Sequence, residues 1–241
     1  MMKYASVNGI KQEATKGVKG QCLCCEAEVI AKCGNIRIAH WAHKNNEECP
    51  YSKKESKTPW HWDWQDHFSI EWQEVKCIDE ETGEVHMADI KTPNGLVVEF
   101  QHSAIQAEER LARERFHKNM VWVVDGTRLK SVFNNFFDRF SLWEQIYEPT
   151  QYLPCSVYKG FIYKRIPKFW SSATTTVYFD FHENTDRTYS RQEEAFRNLI
   201  WGFFKIKQEH FVVSISYDNF VKYVKSGNIR DIEQYASSIS F

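Results

Sequence analysis

The chain has 241 residues, enough for one large domain or for a core domain with additions. Hydrophobic residues make up 42% of the sequence and aromatic residues 15%, so a substantial packed core is expected. No apolar run approaches the roughly 18 residues of a membrane helix, which argues against a membrane-spanning protein. The first residues, MMKYASVNGIKQEATKGVKG, lack the apolar core of a secretion signal, so we expect a cytoplasmic protein.

The net charge is only -1, but the charge is unevenly distributed. Residues 1–60 hold ten Lys/Arg against six Asp/Glu, residues 61–125 hold six against fourteen, and residues 126–170 hold seven against three. An acidic centre flanked by basic segments suits a site that holds cations beside a polyanion. The simpler alternative is an unevenly charged surface without a binding role.

The N-terminal segment predicts a small β-structure. Residues 4–20 have the pattern of a short hairpin whose turn is Asn8-Gly9, a pair that favours a type I′ turn. Two more short strands are predicted at residues 27–31 and 36–39. We expect these strands to support the cysteine-rich segment that contains them.

Five of the seven cysteines fall within residues 22–49, which we call the knuckle. In a reducing compartment such clustering indicates metal ligands or thiols rather than disulfides. The spacing Cys22-x-x-Cys25, then His40-x-x-His43, then Cys49 is typical of zinc ligands.

We therefore expect a structural zinc ion bound by Cys22, Cys25, one of the two histidines and Cys49. His43 is the preferred histidine, because His40 can pack beside Trp41 instead. Cys24 is an alternative donor. The other interpretation is that the segment folds without metal and uses its cysteines as small core residues.

The middle of the chain predicts alternating helices and strands. Trp60, Trp64 and Phe68 lie at i, i+4 and i+8, which indicates a helix, and His61 and Gln65 share its neighbouring face. The elements that follow are strands at 70–78, 84–91 and 96–102, a helix at 105–118 and a buried strand, MVWVVD, at 120–125. The order is helix, three strands, helix, strand.

The C-terminal part gives a weaker pattern, with aromatic residues throughout. Helices are predicted at 131–147 and 193–204, strands at 174–181 and 210–216, and the start of a terminal helix at 219–225. Four phenylalanines fit one helical apolar face, which is more often core than interface: Phe133, Phe136, Phe137 and Phe140.

The turn at residues 92–96, TPNGL, sets the register of the strands on either side. Proline suits the first corner, asparagine tolerates the second, and glycine takes the left-handed position. This three-residue loop places Asp89 opposite Glu99, and strand alternation puts Gln101 on the same face. A two-residue Asn-Gly turn would instead turn Asp89 away.

Two carboxylates held together repel each other, and a divalent cation removes that cost. Mg²⁺ prefers one or two carboxylates, several waters and substrate phosphate oxygens. Asp89 and Glu99 are therefore candidate metal ligands, although ordinary exposed strand residues are an equally good interpretation from spacing alone.

Three stretches carry a resemblance to a known family: HMADIKTPNGLVVEFQHSAIQAEERLARERFHKNMVWVVD at 86–125, HWAH at 40–43 and WHWDWQ at 60–65. The chain resembles the competence protein CoiA-like nuclease family over roughly residues 20–125. That family belongs to the restriction-endonuclease-like, PD-(D/E)XK fold, whose core order is helix, three strands, helix, strand. The resemblance implies hydrolysis of DNA phosphodiesters with Mg²⁺ or Mn²⁺.

The resemblance also implies roles for particular residues. Asp89 and Glu99 match the two metal-binding acids, and Gln101 stands where the wider fold usually has a lysine that positions the attacking water. His61 matches a first-helix histidine, and Gln65 occupies the position where a lysine usually follows it. A neutral amide can hydrogen-bond a water but adds no positive charge.

Three residues are candidate DNA contacts: Gln65, Arg113 and Ser103. Arg113, on the predicted helix 105–118, is the best single candidate for a phosphate contact, because the family often has arginine there. Ser103 can orient the site through its hydroxyl or cap that helix.

The fold class we predict is α/β. It has a restriction-endonuclease-like αβββαβ core with a mixed sheet, at residues 56–148. A hairpin and Cys/His knuckle precede it at 1–55, with a polar linker at 50–59, and an α+β extension follows at 149–241. The predicted function is a metal-dependent nuclease acting on incoming or foreign DNA, in competence, recombination or defence.

Two alternatives stay open. The neutral residues Gln65 and Gln101 allow a DNA-binding module that has lost catalysis. The aromatic C-terminal part allows a protein-interaction subunit, docking a partner or another copy of the chain.

Overall fold

The computed structural model describes residues 1–44, 49, 51, 57–128, 130–138, 140–159, 168–183, 187–206 and 209–238. The chain forms two compact units, Met1–Pro93 and Asn94–Phe241, which we call unit 1 and unit 2. Most of the predicted linker, residues 50 and 52–56, lies outside the described residues. None of the helices in the described ranges has the length and apolar character needed to cross a membrane. The domain limits at 55/56 and 148/149 stay predictions.

Unit 1 begins with an antiparallel sheet in the order β2-β1-β3-β4-β5. Its strands are β1 Tyr4–Val7, β2 Ile10–Glu13, β3 Lys19–Gln21, β4 Glu28–Lys32 and β5 His40–His43. The predicted hairpin is confirmed: Asn8 and Gly9 both have positive φ, 52° and 82°, as a type I′ turn requires.

The strand predicted at 36–39 is wrong by several residues, because β5 is His40–His43. Ile36 is 98% exposed, so an extended segment there would bury little apolar surface. Trp41 is fully buried instead, and its Nε1 donates to the Gln12 carbonyl at 3.0 Å. Burial of this one indole therefore sets where the strand forms.

Unit 1 continues with a helix and a β-hairpin: α1 Pro59–Asp66, β6 Gln73–Ile78 and β7 Val85–Lys91. Thr58 caps α1 by accepting from the His61 amide, and Pro59 occupies the first turn, where no amide donor is needed. In the antiparallel β6–β7 pair, Gln73 faces Ile90 and Val75 faces Ala88. This register places Glu74 opposite Asp89.

Unit 2 is built on a mixed sheet in the order β10-β11-β14-β13-β12-β9-β8. The strands are β8 Val97–Gln101, β9 Met120–Asp125, β10 Glu144–Tyr147, β11 Cys155–Lys159, β12 Val177–Asp180, β13 Leu199–Ile206 and β14 Glu209–Ser216. Strand β9 runs parallel to both β8 and β12, and the other pairs are antiparallel. The mixed α/β class is therefore confirmed.

The helices of unit 2 are α2 Ala107–His117, α3 Lys130–Phe137, α4 Lys168–Ser171, α5 Arg191–Arg197, α6 Tyr217–Ser226 and α7 Asp231–Ser238. Helix α2 connects the parallel strands β8 and β9, as a parallel pair requires. Buried Glu114 fixes this helix, since it pairs with Arg110 and accepts from Trp122 Nε1 at 3.1 Å and from the Thr174 hydroxyl at 2.7 Å.

Two C-terminal helix predictions are wrong in part. The helix predicted at 131–147 ends at Phe137, and residues 144–147 form β10. The helix predicted at 193–204 ends at Arg197, and residues 199–206 form β13. Strand β13 pairs along its length with β14, and pairing outweighs the local helical pattern.

The phenylalanine face of α3 is packed inside unit 2. Phe133, Phe137 and Phe140 lie 5.7, 5.4 and 5.7 Å from the ring centroid of Phe196. The side chain of Phe136 lies outside the described residues. This cluster is core, which removes one argument for an interaction surface.

Gly202 of β13 provides a test of the packing between strands β12, β13 and β14. A Cβ built there would lie 2.5 Å from Val213 Cγ1 and 2.6 Å from the Tyr178 ring, its neighbours on β14 and β12. We expect Gly202→Ala to lower the free energy of unfolding by about 1–3 kcal/mol, measured by urea denaturation.

Gly34→Ala is the matched control for this prediction. Gly34 is exposed, and no atom lies within 4 Å of the position of its Cβ. Equal effects of the two substitutions would contradict the packing of β12, β13 and β14.

Candidate functional site

The knuckle gathers its four predicted ligands at the edge of the N-terminal sheet. Cys22 follows β3, and Cys25 lies in the turn that leads to β4. The Cys22 carbonyl accepts from the Glu26 amide at 3.0 Å, and the Cys22 amide donates to Ala27 at 2.9 Å. His43 ends β5.

The distances fit one tetrahedral ion. The ligand atoms of Cys22, Cys25, His43 and Cys49 all lie within 4.8 Å of one another. Cys22 Sγ lies 3.9 Å from Cys49 Sγ, and Cys25 Sγ lies 3.3 Å from His43 Nε2. Zn–S bonds of about 2.3 Å put tetrahedral sulfur atoms about 3.8 Å apart. The cluster can therefore bind a metal such as zinc.

The alternative donors lie outside this set. His40 Nδ1 is 2.8 Å from the Ile38 carbonyl, and Cys24 is a buried core residue. Burial raises the pKa of Cys22 to about 12. A bound metal ion would offset that penalty, because it stabilises the thiolate form of the cysteine. Four protein ligands would leave a bound zinc ion no open position for water, as in structural zinc sites.

In unit 1, Asp89 is buried, with 3% of its surface exposed, and two nitrogen atoms contact one of its oxygens. Lys57 Nζ lies 3.2 Å and His61 Nε2 lies 3.3 Å from Asp89 Oδ1. The same Lys57 ammonium donates to Glu74 Oε1 at 2.7 Å. Asp89 is thus part of a buried ionic cluster.

Glu74 completes this cluster. Its backbone has φ of +44°, an unusual conformation for a glutamate. Its carboxylate accepts from the Lys3 amide at 3.3 Å and the Tyr4 amide at 3.1 Å, as well as from Lys57. Glu74 therefore ties β1 to β6 within unit 1.

Lys57 and Glu74 are both ionised at neutral pH. Burial lowers the pKa of Lys57, but the carboxylates of Glu74 and Asp89 outweigh burial and hold the pKa above its ordinary value. Burial raises the pKa of Glu74, but the Lys57 ammonium outweighs burial and holds this pKa below its ordinary value. The pair is a charged one.

Gln65 is completely buried, with 0% exposure, so it is not presented to solvent as the predicted DNA contact would be. Its Nε2 donates to the Asp89 carbonyl at 3.1 Å, and α1 holds it one turn after His61. Among the described residues, no hydrogen-bond donor reaches its Oε1. Gln65 supports the backbone of Asp89.

In unit 2, Glu99 on β8 is 1% exposed and is contacted by two residues of α2. Arg113 Nη1 donates to Glu99 Oε2 at 3.2 Å, and His117 Nε2 lies 3.9 Å from Oε1. Arg113 also pairs with Glu109, and its guanidinium lies 5.9 Å from the Trp122 ring centroid. Arg113, the predicted phosphate contact, therefore forms an ion pair with Glu99, a predicted metal ligand.

Gln101 ends β8 and is buried. Its Nε2 donates to the Ser103 carbonyl at 2.9 Å, so the two residues are adjacent as predicted. Ser103 does not cap α2, because the helix begins at Ala107 and its N-cap is Gln106. Gly95 has φ of +82°, the left-handed conformation expected from the turn. The opposition of Asp89 to Glu99 stays a prediction.

Sequence reasoning missed Lys57, Glu74 and His117. Lys57 precedes a helix cap and carries no pattern of its own. The role of Glu74 follows from the β6–β7 register, and the irregular loop at 79–84 makes that register hard to predict from sequence. His117 could have been found, because it lies four residues after Arg113 and so shares its helix face.

Metal binding by the knuckle can be tested by measuring the zinc content of the protein. We expect about one zinc per chain in the wild type and a near-complete loss in Cys25→Ser, measured by elemental analysis after dialysis against a chelator. Cys25 is exposed, so its substitution removes a ligand without opening the core.

Cys33→Ser is the control, since Cys33 lies outside the four-residue cluster. An unchanged zinc content in Cys25→Ser would exclude this ligand set.

The ionic cluster generates a test of stability against pH. The folded-state pKa of Glu74 lies below its ordinary 4.5. Its contribution is therefore fully present above about pH 4.5 and is lost as pH falls through the folded pKa. We expect Glu74→Gln to cost about 3 kcal/mol at pH 7 and to flatten the stability profile below pH 4.5, measured by urea denaturation.

Glu80→Gln, an exposed substitution in the loop after β6, is the control. A Glu74→Gln profile parallel to that of the wild type would refute the role of Glu74.

Comparisons with known proteins give one match. The family model described as competence protein CoiA, N-terminal domain, matches residues 7–52, the segment that holds the four knuckle ligands. Neither the curated proteins nor the solved structures yield a match. The match supports a CoiA-like protein, similar to the N-terminal domain of competence protein CoiA over residues 7–52.

Proposed function

We propose that this protein is a DNA nuclease that uses Mg²⁺ or Mn²⁺ to hydrolyse phosphodiester bonds. The observation that carries the proposal is the burial of the two predicted metal ligands, Asp89 and Glu99, and the side chains that contact them. Asp89 and Glu99 are both buried, and each is contacted by a cationic side chain and a histidine. Carboxylate oxygens are the ligands that Mg²⁺ and Mn²⁺ prefer, so these two acids are the candidate ligands of the ion.

The chemistry around Asp89 fits a hydrated divalent cation. Mg²⁺ keeps several of its waters, and these waters donate hydrogen bonds to nearby acceptors. Gln65 bonds the Asp89 backbone through its Nε2, and its buried Oε1 receives no donor from the described residues. A metal-bound water is a suitable donor for that oxygen. Asp89 and Glu99 are the proposed metal ligands, as the sequence pattern predicts.

The metal, when bound, supplies an activated water and neutralises charge on the scissile phosphate. The protein supplies the surroundings. Arg113 pairs with Glu99 and Glu109, and a guanidinium beside the metal ligand would also be suited to contact a phosphate oxygen of the substrate. The Gln101 amide, fixed by its bond to the Ser103 carbonyl, can orient the attacking water without adding charge. His61 stays against Asp89 and steadies that carboxylate.

The substrate class follows from the resemblance to CoiA-like nucleases over residues 20–125 and from the family match at residues 7–52. We propose that the substrate is incoming or foreign DNA, handled in competence, recombination or defence. The knuckle would then be a structural part that stabilises the N-terminal sheet.

Cleavage assays test this proposal directly. We expect the wild type to cut single- or double-stranded DNA with Mg²⁺ or Mn²⁺ and to lose activity with chelator. Asp89→Asn and Glu99→Gln should each lower the cleavage rate roughly 100-fold or more, because each removes one charged metal ligand.

Exposed acids of the neighbouring helices provide matched controls. Asp63→Asn on α1 and Glu108→Gln on α2 remove the same charge and should leave cleavage within about twofold of the wild type. Cleavage at the wild-type rate in both single variants, Asp89→Asn and Glu99→Gln, would refute the assignment of these two acids as metal ligands.

A second candidate is a DNA-binding module without catalysis, favoured by the neutral Gln101 at the position where the resemblance expects lysine. Fluorescence anisotropy with labelled DNA separates the two candidates. Binding without cleavage under every metal condition would replace the nuclease by this second function. Neither binding nor cleavage would favour a protein-interaction subunit.

A further inference from the structure

We propose that Lys57 is a built-in counter-ion of Asp89 and, balanced by Glu74, limits how tightly Asp89 binds a divalent cation. The inference rests on the proposed function, because it concerns the same metal ligand. It assigns a positioning role to Lys57 and a charge-balancing role to Glu74.

The contacts place the ammonium where a cation would compete. Lys57 Nζ lies 3.2 Å from Asp89 Oδ1 and 2.7 Å from Glu74 Oε1. The β6–β7 register puts the two carboxylates opposite each other on one face of the hairpin. Lys57 therefore stands between two carboxylates, as a bound metal ion would.

Burial keeps this ammonium in place. The side chains of Lys57, Glu74 and Asp89 are 3%, 0% and 4% exposed. The Tyr51 ring centroid also lies 5.8 Å from Lys57 Nζ. Solvent screening is weaker at such depth, so Lys57 repels a cation near Asp89 more strongly than an exposed lysine would.

The balance of charge gives the direction of the effect. Counted by themselves, Lys57, Glu74 and Asp89 carry a net charge of -1, while the ammonium groups of Lys11 and of the Met1 N-terminus also attract Glu74. A divalent cation is attracted by this single excess charge but repelled by Lys57. Weak affinity in the absence of DNA follows, and the phosphates of bound DNA would supply the missing negative charge.

The experiment measures cation binding rather than cleavage. Tb³⁺ is titrated into the full chain, its luminescence is excited through tryptophan, and Mn²⁺ is then added as a competitor. Helix α1 carries Trp60, Trp62 and Trp64 as nearby donors. Tb³⁺ prefers oxygen ligands, so the cysteines of the knuckle are poor competitors for it.

We expect Lys57→Met to bind Tb³⁺ and Mn²⁺ at least tenfold more tightly than the wild type, because the cluster then carries a charge of -2. Lys57→Arg keeps the charge and should stay within threefold of the wild type. Lys76→Met is the matched control, since it removes an exposed lysine from the same strand as Glu74. An unchanged or weaker affinity in Lys57→Met overturns the proposal.

Two more variants keep the test decisive where Lys57→Met does not fold. Glu74→Gln leaves Lys57 to Asp89 alone and should weaken binding at least tenfold. The double variant Lys57→Met/Glu74→Gln restores the charge of -1 and should bind within threefold of the wild type. A double variant that binds much more weakly overturns the proposal, because Glu74 would then be a metal ligand.

Asp89→Asn distinguishes the role of Lys57 from the metal site itself. Loss of cation binding in Asp89→Asn together with unchanged affinity in Lys57→Met overturns only the role of Lys57. Wild-type binding in Asp89→Asn overturns both that role and the metal site of the proposed nuclease.

Discussion

Unit 1 depends on one buried ionic interaction, the contact of Lys57 with Glu74 and Asp89. An unpaired buried charge costs several kcal/mol, so none of the three residues can be removed alone without penalty. Glu74 also binds the amides of Lys3 and Tyr4, which attaches the first strand to the β6–β7 hairpin. The same charge balance that stabilises the unit therefore fixes the position of the candidate metal ligand.

Unit 2 uses the same principle through helix α2. Glu114 and Arg110 anchor the helix, while Arg113 and His117 project from it toward Glu99. The burial of Trp122 and its bond to Glu114 hold the helix against β9. Structural and candidate functional charges thus share one helix, so a substitution at Arg110 or Glu114 would also disturb Glu99.

The sequence predicts those parts of the fold whose pattern is local. The MVWVVD strand is found with its predicted limits, helices α1 and α2 are found within two residues of theirs, and the spacing predicts the four knuckle ligands that lie together. The local pattern predicts a helix where β13 forms, because the pairing of β13 with β12 and β14 depends on residues that are distant in the sequence. Lys57 and Glu74 were missed for the same reason: the interactions that define them are made only in the folded chain.

These contacts change the meaning of the neutral Gln101 and Gln65. A glutamine in place of lysine suggests a site that lacks positive charge. Such a site would favour a DNA-binding module that has lost catalysis. Asp89 nevertheless has Lys57 as a cation, and Glu99 has Arg113. Gln65 contributes a backbone contact for which charge is unnecessary. Positive charge therefore reaches each acid from a residue outside the strand motif, and the glutamines alone do not argue against metal-dependent chemistry.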